Sequence, residues 1–256
     1  ELRLGYDASY EPVVRGHTMF VPSMVNDSVT ALDTETGAER WRYMTEGPVR
    51  FAPVASEGKV YFVSDDGYLY CLNADDGSLR WRFRGLPEGR RDRKVLGHGR
   101  LVSLWPARGG PVLADGVVYF AAGLWPTEGV FVHAVDAESG KVVWSNTDSD
   151  RIPKSNFDHG QGQEAGLTPQ GYLAIVGDRL IVPCGTQLPA FLDLKTGKPE
   201  RTIHKYGKEI EQGIEELSDQ LKGIDLPYPL RWIAIKLLEK DSDITARVSE
   251  LKPRAV

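Results

Sequence analysis

Two kinds of hydrophobic pattern divide the chain. Over about the first 200 residues, apolar side chains come in short runs of Val, Tyr, Phe and Leu, each closed by Gly or Asp; beyond Tyr206 they recur at spacings of three and four. The clearest case of the first kind is Gly58-Lys-Val-Tyr-Phe-Val-Ser64, then Asp65-Asp-Gly67, then Tyr68-Leu-Tyr-Cys-Leu72. Branched and aromatic residues bounded by turn formers predict strands, and Asp66-Gly67 between two such runs predicts a hairpin. Gly116–Ala122 and Gly177–Pro183 repeat the pattern.

A register runs through these couplets. Asp33-x-x-x-Gly37-x-x-x-Trp41 recurs 40 residues later as Asn73-x-x-x-Gly77-x-x-x-Trp81, then as Asp136-x-x-x-Gly140-x-x-x-Trp144. A fourth copy, Asp193-x-x-x-Gly197, ends in Arg201 where the others have tryptophan. The acid accepts backbone N–H groups, glycine tolerates positive φ, and the tryptophan lays an apolar face between units. A unit of about 40 residues with four short strands has the size of a propeller blade, whereas an ordinary sandwich predicts turns without a fixed register. The fold class is therefore mainly β: a partial propeller of about four four-stranded blades, followed by a small α-helical tail.

Ala31–Gly37 with Trp41, and Gly67–Gly77 with Trp81, resemble PQQ-like (pyrroloquinoline-quinone-type) propeller repeats. Gly110–Gly129 and Gly171-Tyr-Leu-Ala are similar to large bacterial members of that class, and the resemblance covers residues 12 to 200. The superfamily joins quinoprotein dehydrogenases to non-enzymatic assembly lipoproteins of the BamB type. The resemblance implies fold more than function. It also implies an exported or periplasmic location.

After Gly197 the pattern changes. Of 27 glycines, 24 precede residue 201, and five of six tryptophans precede residue 145. Ile210, Ile214, Leu217 and Leu221 predict one amphipathic helix, with Glu209, Glu211, Glu215 and Glu216 on its wet side and Gly213 permitting close packing. Pro227 and Pro229 separate it from a second helix with Trp232, Ile235 and Leu238 in one stripe; a third is expected from Asp243, with Ile244, Val248 and Leu251 on one side. The expected domains are 1–202 and 203–256. Tyr206–Leu217 followed by Pro227–Asp241 resembles the cytosolic helical spacer of the ferrous-iron transporter FeoB. No phosphate-binding Gly-x-x-x-x-Gly-Lys-Ser/Thr precedes it, so the tail carries no transport activity of its own. It implies the cytoplasm, against the propeller, and leaves both an artificial join and a natural fusion open.

Composition narrows the functions. A net charge of −5 gives no reason to expect nucleic-acid binding, and no apolar run reaches the length of a membrane span. Hydrophobic residues at 41% and charged residues at 26% exclude wholesale disorder. The absence of a signal peptide before Glu1 reads as a processed, trimmed or partial chain. Two cysteines, Cys71 and Cys184, support neither a disulfide framework nor a thiolate zinc site and read as buried thiols.

The resemblance implies, for quinoproteins, a quinone near the propeller axis with calcium on oxygen ligands and often an adjacent cysteine pair. No such pair exists and no ligand set maps, so no cofactor and no metal are expected; PQQ with calcium is the alternative. Glycine anchors 63 and 57 residues apart, against a base of 40, mark insertions near 84–110 and 145–171. Insertions in repeat proteins decorate one face, often the binding face. The first insertion carries Arg84, Arg90, Arg91, Arg93, Lys94, His98 and Arg100, either a solvated basic loop or an anion clamp. The second offers Asp158, His159 and Glu164 as acid–base or metal groups, though its glycine-rich spacing also suits a polar loop. The expected function is a binding or scaffold module without quinone. The alternatives are a fragment of a PQQ-dependent dehydrogenase, hence an oxidoreductase, and a transporter spacer. A partial ring exposes terminal blade faces, so a protein partner, self-association or capping by the tail is expected.

Overall fold

The computed structural model describes residues 11–97, 99–124, 128–147, 167–184, 189–199, 207–223 and 228–251. The chain divides into two compact units, Glu1–Arg201 and Thr202–Val256.

In the first unit each repeat folds as an antiparallel sheet whose spatial order follows the chain. Blade 1 is β1 (Val13–Arg15), β2 (Thr18–Ser23), β3 (Ser28–Asp33) and β4 (Glu39–Met44). Blade 2 is β5 (Val54–Ser56), β6 (Lys59–Val63), β7 (Tyr68–Asn73) and β8 (Leu79–Arg84). The first insertion contains a hairpin, β9 (Lys94–Gly97) with β10 (Arg100–Ser103). Blade 3 is β11 (Gly109–Ala114), β12 (Val117–Ala122), β13 (Phe131–Asp136) and β14 (Val142–Asn146). Blade 4 holds β16 (Ala174–Val176), β17 (Arg179–Val182) and β18 (Ala190–Asp193), with β15 (Gly171–Tyr172) running parallel to β11 as a fifth strand on blade 3. Its fourth strand is reduced, among the described residues, to one bridge from Leu192 to Pro199.

The Asp-x-x-x-Gly corners are built alike. Gly37 N–H donates to the Asp33 carbonyl at 2.9 Å, and Gly77, Gly140 and Gly197 do the same at 2.9, 2.9 and 2.8 Å. Each glycine has φ between 66° and 71°, a conformation costly to a side chain. The Asp33, Asp136 and Asp193 carboxylates accept N–H and hydroxyl bonds from Thr36, Ser139 and Thr196, which hold them below the usual carboxylate range; for Asp33 the Arg40 guanidinium leads.

The tryptophans then lock neighbours together. Trp41 lies on the corner of the next blade and donates its indole N–H to the Ala74 carbonyl at 3.0 Å. Trp81 lies on Gly140 and donates to Ala137 and Glu138, while Trp144 lies on Gly197 and donates to Leu194. Across the strand each indole faces a small residue, Ala31, Cys71 or Ala134, with a bulge beside it. Cys71 is thus the small partner of Trp81, and burial pushes its thiol up to about 11. Phe20, Val29, Val60, Phe62 and Leu72 fill the interface between blades 1 and 2; comparable clusters fill the next two interfaces.

The second unit is α1 (Lys208–Gln220), α2 (Leu230–Leu238) and α3 (Ser242–Leu251) around Ile214, Leu221, Ile233, Ala234, Ile244 and Val248. The helices match the expected segments, but three faces differ. On α2 the buried pair is Ile233 and Ala234, while Leu238 is exposed. That helix is apolar almost all round, so periodicity alone does not select its inner face. Ile210 and Leu251, at the outer ends of their helices, are also exposed. Glu211 is not simply solvated; its carboxylate takes both terminal nitrogens of Arg231, at 2.7 and 2.8 Å. A Cβ on Gly213 would stand 3.6 Å from Leu238, ordinary contact, so no close helix approach requires glycine there.

Candidate functional site

Alternating strand direction gives each blade two ends. The Trp–Gly corners and the first-to-second turns share one end. The second-to-third turns and the crossings between blades share the other, so both insertions leave from this crossing end.

Buried charge gathers there. Asp65, in the β6–β7 turn, is 1% exposed, and Arg50, in the crossing from blade 1 to blade 2, is 8% exposed. Arg50 Nε donates to Asp65 Oδ2 at 2.7 Å. Arg108, in the next crossing, brings its Nε to 3.1 Å from Asp65 Oδ1, off the line of a hydrogen bond, so that contact is coulombic. One carboxylate between two guanidinium groups ties two crossings to one turn. Its neighbour Asp66 accepts from Tyr70 Oη at 2.7 Å and from the N–H groups of Glu46 and Tyr68, and burial raises its pKa.

The first insertion lies over this end as a strap. Arg100 grips both Asp27 carboxylate oxygens and the Met24 carbonyl of blade 1. Ser103 N–H donates to the Asp65 carbonyl of blade 2, and Trp105 Nε1 donates to the Glu128 carbonyl at the second-to-third turn of blade 3, at 2.7 Å. Three blades are thereby joined by one segment. Several of the candidate anion-binding residues have partners here. Arg90 stacks on Trp105 and Phe131, 5.0 and 5.4 Å from the ring centroids. Arg93 stands 3.5 Å from Glu128, and Lys94 stands 3.7 Å from Asp92. Arg91 is exposed, and His98 lies outside the described residues. Asp158, His159 and Glu164 also lie outside them.

Two further polar devices went unnoticed in the sequence. His133, on β13, is buried between Phe83 and Phe120, with Nε2 donating to the Gly85 carbonyl at 3.0 Å and Nδ1 2.8 Å from Ser145 Oγ. Burial lowers its pKa to about 4, so it is a neutral clasp between blades 2 and 3. Tyr172 accepts from the Ala52 N–H at 2.9 Å, bridging 120 residues, and is pushed up to about 12 by burial and by the Glu11 carboxylate. A lone histidine and a lone tyrosine in strand-like runs carry no sequence signal.

Among the described residues no three His, Cys, Asp or Glu side chains gather as a cation site requires. Cys71 and Cys184 are buried in different blades. No helix among the described residues is long and apolar enough to cross a membrane.

A family model described as outer membrane protein assembly factor BamB matches residues 4–102 and 94–220, and one described as the FeoB cytosolic helical domain matches 206–255. The dehydrogenase subunit of alcohol dehydrogenase (quinone) from Gluconobacter oxydans (strain 621H) is 30% identical over 194 residues, 66% of this chain and 24% of that protein. The subunit of the same description from Komagataeibacter europaeus is 32% identical over 145 residues, 50% of this chain and 18% of that protein. The chain thus spans about a quarter or less of these relatives. Among solved structures, quinohemoprotein alcohol dehydrogenases from Comamonas testosteroni and Pseudomonas putida HK5 superpose with TM-scores of 0.54 and 0.55 at 21% and 19% identity. Each superposition covers 74% of this chain and 33% of the other.

Proposed function

The chain belongs to the PQQ-like repeat family whose model is described as outer membrane protein assembly factor BamB, and on that premise we propose that residues 12–200 act as a binding and scaffolding blade segment that holds no quinone of its own. The observation that carries this reading is how the charges at the crossing end are used. Asp65 is occupied by Arg50 and Arg108, Asp27 by Arg100, and Arg90 by two aromatic rings. These groups spend their directionality on joining blades. A quinone carboxylate that reaches Arg50 or Arg108 has to break their buried pairing with Asp65, which is costly to separate. The purified chain, incubated with pyrroloquinoline quinone and Ca²⁺ and desalted, is expected to retain no quinone absorbance and to oxidise no alcohol with an electron-accepting dye. Retained quinone with calcium-dependent alcohol oxidation overturns the reading.

A second reading is supported by the relatives described as quinone alcohol dehydrogenase subunits. In it, these blades form one arc of a dehydrogenase ring, and the cofactor-binding groups come from blades outside the chain. A longer reading frame carrying further blades and an oxygen-ligand set supports it; a frame without them removes it. Under either reading the propeller unit works after export. The helical unit, matched by a model of a cytosolic domain, serves as a packing spacer for a protein partner. Fractionation of the native host, with an antibody against the propeller unit, tests location.

A further inference from the structure

Within the helical unit, two misplaced apolar side chains flank a glycine that the fold does not require. Ile210 on α1 and Leu238 on α2 are 49% and 44% exposed, although both fall in stripes that the sequence assigns to the core. Gly213 lies one turn along α1 from Ile210, and with Ile235, Glu209 and Glu239 these residues line an open groove of about 400 Å³. Glycine weakens a helix interior, so its presence there calls for a reason. Backbone conformation supplies none, because Gly213 sits inside α1 and is not among the positive-φ glycines. Helix packing supplies none either, since a Cβ would meet only Leu238, at 3.6 and 3.7 Å. What the missing side chain does is leave the floor of the groove bare.

The rim of this groove is anionic. On α1, Lys208 stands against Glu209, Glu211, Glu215, Glu216 and Asp219. Arg231 holds Glu211 and Lys222 holds Asp219, both away from the groove. Glu209 and Glu216 lie four residues before Gly213 and three after it, hence on its stripe, and both are exposed. Neither meets a cation among the described residues; Glu216 only accepts from Gln212. Across the groove Glu239 is paired with Lys236 at 2.6 Å. Two copies of this groove face to face would set Glu209 and Glu216 against their own counterparts, which disfavours self-pairing. An apolar floor edged by unpaired carboxylates suits an apolar anchor edged by cations.

We propose that the groove of α1 and α2 at Gly213 is a docking site for a basic amphipathic helix of a protein partner. One large apolar side chain of the partner lies over Gly213, between Ile210 and Leu238, and its flanking Lys or Arg side chains pair with Glu209 and Glu216. Covering Ile210 and Leu238 supplies affinity, and the two carboxylates set the direction of approach. This inference rests on the reading of the helical unit as a packing spacer and adds the place of contact and the chemistry of the partner.

The probe is a Leu/Lys peptide of helical period, about 15 residues long, with a Leu/Glu peptide of the same apolar pattern as its control. Titration of the ¹⁵N-labelled full chain with the Leu/Lys peptide is expected to give saturable shifts at the Ile210, Gly213 and Leu238 amides, and the Leu/Glu peptide is expected to bind about tenfold more weakly. Gly213→Leu puts a side chain into the groove and is expected to abolish the shifts while helical circular dichroism is retained. Glu209→Lys with Glu216→Lys changes only exposed positions, so it keeps the test open whatever G213L does to folding; it is expected to reverse the preference towards the Leu/Glu peptide. Equal binding of the two peptides, binding that survives in folded G213L, or a preference unchanged by the charge reversal overturns the proposal. Saturable shifts confined to another face of the helical unit overturn the groove while leaving the spacer reading in place, and the absence of any saturable shift overturns the groove as well.

Discussion

Replacing corner glycines by alanine separates backbone strain from packing within a single molecule. Gly37 and Gly77 share φ values of 70° and 71° and the same closing bond, so alanine carries the same left-handed penalty at each, about 1–2 kcal/mol. The surroundings of the added methyl differ. At Gly77 it would stand 2.6, 2.7 and 2.9 Å from three ring carbons of Trp41, whose N–H is anchored on Ala74. The indole has to shift, which adds about 1–3 kcal/mol of overpacking and weakens a hydrogen bond of about 1 kcal/mol. G77A is thus expected to cost about 3–5 kcal/mol, and G37A about 1–2 kcal/mol. Urea unfolding followed by tryptophan fluorescence reads both numbers. Amide exchange adds a location, because nearest-neighbour coupling confines the G77A loosening to the interface of blades 1 and 2. Equal losses for the two variants would refute the account, since strain alone would then explain the conserved geometry of the corners.

Other outcomes follow from single contacts. His133, with a folded pKa of about 4 against an ordinary 6.5, is protonated more readily when unfolded; its contribution is complete above pH 6.5 and is lost as pH falls towards 4. Chemical unfolding at pH 7 and pH 4 should show about 3 kcal/mol of this loss in the parent chain, and H133Q should lack it. Asp65→Asn leaves Arg50 and Arg108 without their shared carboxylate and should lower stability by about 3–5 kcal/mol, read by thermal unfolding; a change below 1 kcal/mol contradicts the buried-triad account. Gly213→Ala, whose methyl meets only Leu238 at 3.6 Å, should stabilise the helical unit by about 0.5–1 kcal/mol, and helical circular dichroism during melting will detect it.

The repeat was legible because its chemistry is local. A corner Asp, its glycine and the tryptophan four positions later lie within nine residues, and each performs its task in almost any blade. Blade count, strand couplets and the change to helices after residue 200 follow from such short patterns. Even Cys71 could be read correctly as a small buried residue, although its reason, the indole of Trp81 opposite, needed the sheet register. Less was legible where a helix was apolar on most sides: α2 turned Ile233 and Ala234 fully inward, with Trp232 and Ile235 partly buried against the core and Leu238 exposed.

What blade stacking decided is the meeting of residues far apart in the chain. Asp65 lies 15 positions from Arg50 and 43 from Arg108, yet three connections bring them together at the crossing end. The basic insertion, whose charges are dense in sequence, reads as a solvated loop or an anion clamp; in the fold, Arg90 lies on aromatic rings and Arg100 reaches back to Asp27. Whether a charge serves a ligand or a neighbouring blade depends on which opposite charge stands within a few ångströms, and attraction and desolvation both act through that distance. Sequence alone therefore determined the module and its repetition. The partners of its buried charges were set only when the modules stacked.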